Sequence, residues 1–334
     1  MGKTDRNNPE NARSSEATAT LFDFERRFPD DGSCLDWLVG HFYPNGKDGL
    51  IPCLKCERET KHYRVKARTC YECQFCGHQE YPMRGTIFEG SSTSLRLWFY
   101  AIYIMSSTRC GISAKTLERE IGVSYPTALR MFRQIRSLLG QDDDEILPGT
   151  VEMDESYFGG KDKWKHESKR PHTGRGPVTK TPVFGMAQRG RKDAKGKTVA
   201  HGKVSVTVAD GSKARDLLPH AEAKLLPAST VYTDEFRSYN RLGEMGYTHE
   251  RVNHEQRVYV SGDVHTNTIE GFWATVKRGL GGTYHAVSDR HLQSYLDEYA
   301  FRWNSRGNPV GMFDAFLNRI GKASPASPAS PDPS

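Results

Sequence analysis

Apolar residues at Ile269, Phe272, Trp273 and Val276 recur at i, i+3, i+4 and i+7, which predicts an amphipathic helix opening near Asn267. Glu270 and Lys277 lie off that stripe, seven residues apart, so both project from nearly one line of the helix. SLRLWFYAIYIMSS predicts a strongly apolar helix over residues 94–107. GISAKTLEREIGVSYPTALRMFRQIRSLL reads as helix, turn at Gly122, helix, with Leu117 and Ile121 facing inward. LFDFERRFPDDGSCLDWLVGHFYP, residues 21–44, has helical spacing and is expected to pack on the adjoining cysteine-rich segment, and HLQSYLDEYAFRWNSR and VGMFDAFLNRI are two further helices near the end. TVEMDESYF, residues 150–158, predicts a strand that ends in glycines. PVFGMAQRG, KVSVTVAD and STVYTDEF read as further strands, with a helix in SKARDLLPHAEAKL. Strands first, then alternating helix and strand, point to a mixed α/β domain behind a helical and cysteine-rich front half.

Composition narrows the class. A chain of 334 residues is long enough for two or three domains. Its net charge of +6 permits a polyanionic partner without requiring one. The first twenty residues contain no apolar signal-peptide core, and no uncharged apolar run is long enough to span a bilayer. The expected setting is therefore the cytoplasm, where seven cysteines favour free or metal-bound thiols over disulfides. Residues 1–18 and 322–334 read as disordered, and the acidic run at 141–145 marks a boundary.

Cys53-x2-Cys56, sixteen residues, then Cys73-x2-Cys76-Gly77 has the spacing of a four-cysteine zinc ribbon. Each pair closes a tight turn that aims two thiolates at one ion. Cys70-x2-Cys73 is also a legal pair. Gly77, at a place that needs positive φ, favours Cys73 and Cys76 and leaves Cys70 and His78 spare. Cys34 is isolated and expected in the core. The second helix after the ribbon carries Arg130, Arg133 and Arg136, which suits a helix-turn-helix DNA reader; an ordinary helical hairpin has the same pattern. KDKWKHESKRPHTGRGPVTK, with seven Lys or Arg including Lys163, Lys165, Lys169 and Arg170, suits a basic loop tracking a phosphate backbone.

Three acids stand at separated elements: Asp154 within the first strand of the α/β domain, Asp234 at the end of STVYT, and Glu270 near a helix start. Brought together, they make a hard-oxygen site for Mg2+ or Mn2+. Each has an ordinary alternative. Asp154 can pair on the surface with Glu152 or Glu155, Asp234 can open a turn, and Glu270 can close a capping box with Asn267.

The chain resembles the zinc-ribbon DDE transposases of bacterial insertion sequences, the ISXO2-like family. The resemblance rests on the ribbon leading into YPMRGTIFEGSSTSLRLWFYAIY, on VEMDESYFGGK and VYTDEFRSY, and on HTNTIEGFWATVKRGLGGTYHAVSDRHLQSYLDEYAFRWN. It implies a multidomain α+β chain: a helical segment over 19–48, a zinc ribbon over 49–90, a helix-turn-helix over 91–140, an RNase H-like catalytic domain over 148–306 and a C-terminal helix over 307–321. It further implies that Asp154, Asp234 and Glu270 bind the catalytic metals and that Lys277, with Arg278 beside it, contacts DNA. His265 and Asn267 are then neighbours of the site or contacts to DNA, and Asn267 is the alternative third acid-position residue. The activity implied is cleavage at transposon ends to free a 3′-hydroxyl, followed by its joining to target DNA, with a homo-oligomer synapsing two ends. A DNA-binding regulator without catalysis, and an RNase H-like nuclease that cuts without joining, are the other readings.

Overall fold

A computed structural model describes residues 19–140, 145–159, 180–195, 198–234, 237–252, 265–285, 287–308 and 310–321. The basic loop holding Lys163, Lys165, Lys169 and Arg170 lies outside them, as do both chain ends. The chain divides into two units. The first takes residues 1–108, 114–138 and 308–334, and the second takes 109–113 and 139–307.

In the first unit, Thr20 and Asp23 close a capping box on α1 (Leu21–Arg27), and Asp30 and Ser33 close one on α2 (Asp31–Phe42). Four antiparallel strands come next in order: β1 (Leu50–Cys53), β2 (Arg58–Val65), β3 (Cys70–Cys73) and β4 (Gln79–Glu80). Then come α3 (Leu95–Ser107), α4 (Ala114–Ile121) and α5 (Tyr125–Ser137). Gly122, at φ +69, ends α4, and Leu117 and Ile121 are buried as the periodicity predicts. Phe24 packs on Phe28, and Phe28 on Phe99 of α3, in an aromatic core, and Cys34 of α2 is fully buried. Burial pushes the Cys34 thiol up to about 12, as expected of an inert core cysteine.

The second unit is built on β5 (Thr150–Phe158), β6 (Thr181–Gln188), the small pair β7 (Arg191–Lys192) and β8 (Thr198–Ala200), β9 (Val204–Val208), α6 (Ala214–Lys224), β10 (Thr230–Thr233), β11 (Thr248–Arg251), α7 (Asn267–Gly279) and α8 (Asp289–Asn304). The five-stranded sheet runs β11-β10-β5-β6-β9. β5, β6 and β9 are antiparallel neighbours, whereas β10 and β11 run parallel to β5. Side-chain alternation splits the core between two faces. Val151, Met153, Phe184 and Met186 face Leu217 of α6 and Leu242, and Val183, Ala187 and Val206 face Ile269, Phe272 and Trp273 of α7 with Leu292 and Leu296 of α8.

The outer edge of β9 is closed by amides. Gln293 Oε1 accepts from Val208 N at 2.7 Å, and Asn304 Oδ1 accepts from Val204 N at 2.7 Å. Asn304 Nδ2 donates to Val204 O at 2.9 Å. The last helix, α9 (Gly311–Asn318), belongs to the first unit: Phe313 packs on Phe24, Phe28 and Tyr103, and Arg27 pairs with Asp314 at 2.5 Å.

Candidate active site and metal centre

The ribbon thiols converge. Cys53, Cys56, Cys73 and Cys76 place their Sγ atoms within 4.8 Å of one another. Cys53 and Cys76 are 3.6 Å apart, and Cys56 and Cys73 are 3.9 Å apart. A tetrahedron with metal–sulfur bonds near 2.3 Å has edges of about 3.8 Å, so these spacings suit Zn2+. Gly77 has φ +68, as its place after the second pair requires, and Glu57 holds the corresponding place after the first with φ +54. Thr60 Oγ1 lies 3.2 Å from Cys73 Sγ, and this hydrogen bond is the main cause holding the Cys73 thiol down to about 5. Cys70 is buried, and burial raises its thiol pKa; neither it nor His78 joins the cluster. The pairing chosen from Gly77 is the one the fold makes.

In the second unit, strand register brings Asp234 near Asp154. β10 pairs with β5 through Tyr232 opposite Glu152. Two residues further along both parallel strands, Asp234 comes abreast of Asp154 on the face covered by α7. Burial, with the charge of Asp234 next and that of Glu270 also contributing, pushes the Asp154 carboxyl up to about 6. A backbone hydrogen bond from Glu155 partly offsets this. Across the sheet, burial, with the charges of Asp234 and Asp154 adding to it, pushes Glu155, beside Tyr239, up to about 7. Tyr239 is itself fully buried. Asp154 thus sits under the charge of two neighbouring acids, Asp234 and Glu270, whereas among the described residues the four cysteines alone lie close enough together to hold an ion as they stand.

Glu270 is not a capping-box residue. α7 begins one residue earlier than predicted, with Thr266 and not Asn267 at its N-cap, and Asn267 is the exposed first helical residue. Thr266 Oγ1 donates to Glu270 Oε1 at 2.8 Å. The backbone donors at the helix start go instead to Glu152, 116 positions away in sequence: its Oε2 accepts from Thr268 N at 2.7 Å and Ile269 N at 3.0 Å. Nor is Glu152 a surface partner of Asp154; it is fully buried and paired with Arg189 at 2.7 Å. Arg189 also donates to His265, at Nδ1 and at the carbonyl, both 2.7 Å. Because Nδ1 accepts there, its 3.3 Å approach to Glu152 is a contact of two acceptors and not an ion pair. Lys277 and Arg278 are exposed in the last turn of α7.

α7 comes close to the sheet at Gly185, opposite Asp154 in β6. A Cβ there would lie 2.4 Å from Trp273 Cζ2 and 3.0 Å from Ile269 Cδ1. Since Trp273 is buried, Gly185→Ala is expected to lower stability by about 1–3 kcal/mol. Chemical denaturation of the two proteins checks this. A loss below about half a kcal/mol would mean that α7 rides free of the sheet.

On α5, Arg130 and Arg133 are exposed, and Arg130 also reaches Ser91 Oγ at 3.3 Å. Arg136 departs from the expectation: it is buried, with its guanidinium 5.0 Å from the Phe132 ring centroid, so it faces the core and not DNA. Arg189 and Tyr239 escaped sequence reasoning, and Glu152 and Glu155 entered it only as surface partners of Asp154. Alternation along the strand does put Glu152 on the face of Asp154, the one available signal.

Fold and site thus define a two-unit protein that joins a four-cysteine ribbon to an α/β unit carrying a cluster of carboxylates. Residues 146–304 match the ISXO2-like transposase domain, and residues 29–79 match the transposase zinc-ribbon domain. The chain is 34% identical over 265 residues to an uncharacterized protein in the transposable element ISH50 of Halobacterium salinarum, covering 75% of this chain and 85% of that one. It is also 34% identical over 103 residues to an uncharacterized transposase-like protein of Haemophilus influenzae, covering 31% of this chain and 82% of that one. The chain belongs to the ISXO2-like transposase family. Among the described residues, no helix is long and apolar enough to cross a membrane.

Proposed function

We propose that the protein is the transposase of an insertion sequence, cutting the element's DNA ends and joining them to target DNA. The observation that supports this reading is that the charges of both Asp234, after β10, and Glu270, on α7, bear on Asp154 of β5. The strand order and directions of the sheet support an RNase H-like domain, and α4 and α5 support a helix-turn-helix. Asp154, Asp234 and Glu270 are the residues that would hold Mg2+ or Mn2+. Such ions, when bound, activate the attacking oxygen and stabilise the leaving oxygen of an in-line phosphoryl displacement.

The protein's own part is placement. Lys277 and Arg278, at the far end of the helix that carries Glu270, hold the phosphates of the element's end beside the acids. Water attacks the phosphodiester at that end; one P–O bond forms as another breaks, and a 3′-hydroxyl is released. That hydroxyl then displaces a 3′-oxygen in target DNA at the same site. Glu270 is the third acid on the grounds that its charge bears on Asp154. Ribbon and helix-turn-helix find the terminal repeats, with Arg130 and Arg133 on the reading helix. Lys163, Lys165, Lys169 and Arg170 clamp flanking DNA, His265 and Asn267 line the approach, and two or more copies synapse the ends.

The test uses wild type and Glu270→Ala with Mg2+ or Mn2+ and a supercoiled plasmid bearing the ends. Metal-dependent nicking and joining, lost at least about a thousand-fold in the variant while end binding persists, is the expected result. Undiminished activity in Glu270→Ala would transfer the role to Asn267. End binding without cleavage by either protein would make the chain a regulator, and cleavage without joining a nuclease.

A further inference from the structure

We infer that Glu152 is a positioning residue for the third acid, fixing the start of α7 and so the place of Glu270. The inference rests on the reading of Glu270 as a metal ligand. Thr266, at the N-cap, makes no side-chain bond to the helix backbone, because its hydroxyl is given to Glu270. The orphan donors of the first turn therefore need another acceptor. Glu152 supplies it from the middle of the sheet, taking Thr268 N, Ile269 N and, through Oε1, Thr268 Oγ1 at 2.8 Å. Its negative charge also meets the positive end of the helix dipole.

A fully buried carboxylate is held at such a place only when its oxygens are satisfied. Here Arg189 completes the set at 2.7 Å, with its guanidinium 4.5 Å from the Tyr232 ring centroid. Arg189 in turn binds the carbonyl of His265, just ahead of the helix. The first turn is thus clamped from both sides of its entry. Geometry then links the acids. Glu152 and Asp154 stand two residues apart on one face of β5, and Ile269, which donates to Glu152, precedes Glu270. One short stretch of strand therefore carries one acid of the cluster and the anchor that registers another against it. A helix docked through apolar contacts alone can slide by a fraction of an ångström; three hydrogen bonds to one carboxylate remove that freedom.

The test uses the full-length, zinc-loaded protein without DNA. Mn2+ binding is titrated by calorimetry for wild type, Glu152→Gln, Glu270→Ala and the double variant, and amide exchange at Thr268 and Ile269 is monitored without Mn2+. Glu152→Gln keeps the shape and an acceptor oxygen but sets an amide against Arg189. The expected loss of Mn2+ affinity is about ten-fold, with faster exchange at both amides. The double variant is expected to bind no more weakly than Glu270→Ala alone, a non-additivity that general destabilisation does not produce. Thr268→Val, which removes only the hydroxyl donor, should lose less in the same direction and serves if Glu152→Gln fails to fold. Unchanged Mn2+ affinity in Glu152→Gln, or fully additive losses in the double variant, would overturn the role of Glu152 alone. Unchanged affinity in Glu270→Ala would overturn the ligand assignment and this role with it.

Discussion

Asp154→Asn is expected to abolish end cleavage and joining, by at least about a thousand-fold, while making the protein more stable when no Mg2+ or Mn2+ is added. The two effects have one cause. Burial and the neighbouring acids push the Asp154 carboxyl from 3.8 in the unfolded chain up to about 6 in the fold. The folded state therefore holds the proton more tightly, and its stability falls as pH rises from about 4 to about 6. Above that window the penalty is complete. At 1.36 kcal/mol per pKa unit, and with a discount for partial exposure, it is about 2 kcal/mol. An amide carries no such penalty, so at about pH 7.5 the variant should melt a few degrees above wild type, and at about pH 4 the two should coincide. Added Mn2+ should raise the melting temperature of wild type at the higher pH, much less near pH 5, and leave the variant unmoved. A variant less stable than wild type above neutral pH would mean that Asp154 is held by hydrogen bonds and not strained by charge.

Stripping zinc is expected to unfold the ribbon, residues 50–80, outright. Its four strands enclose little: Ile51, Tyr71 and the cysteines, with Thr60 and His62 as polar fillers. So small an interior does not hold a sheet without the ion, whose binding is worth about 10 kcal/mol at neutral pH in structural sites of this kind. Cys73→Ser should reproduce the loss, since Cys73 is the thiol that Thr60 already holds down to about 5. Cys70→Ser should keep one zinc per chain. Metal analysis with amide exchange over β1–β4 distinguishes these proteins, and retained protection in zinc-free protein would refute a structural site.

What could be read from the sequence was local. The bounds of β5 and the apolar stripe of α7 come from one period each, and the ligating cysteines from two short spacings and one glycine. Failures begin where a residue's partner is distant. Glu152 looks like one of three surface acids until β5 lies beneath α7, and Arg189 reaches partners 37 and 76 positions away. Arg136 reads as one of a series of cations because periodicity reports spacing, not whether an aromatic ring such as Phe132 waits beneath. β11, four polar residues, THER, has no apolar alternation to betray it, and only its pairing with β10 makes it a strand. The nearness of Asp234 to Asp154 could not be reached from spacing, because it depends on register between two strands that are distant in sequence.

α9 gives the order of synthesis a physical meaning. The hydrophobic interior around Phe24 and Phe28 is finished by Phe313, from the opposite end of the chain. A nascent chain leaves the ribosome with its beginning incomplete, and Phe24, Phe28 and Tyr103 stay without part of their cover until the last helix emerges. The unit that holds α1 waits for α9 to close, so a product that stops before α9 inherits an unfinished first unit and not merely a shortened chain.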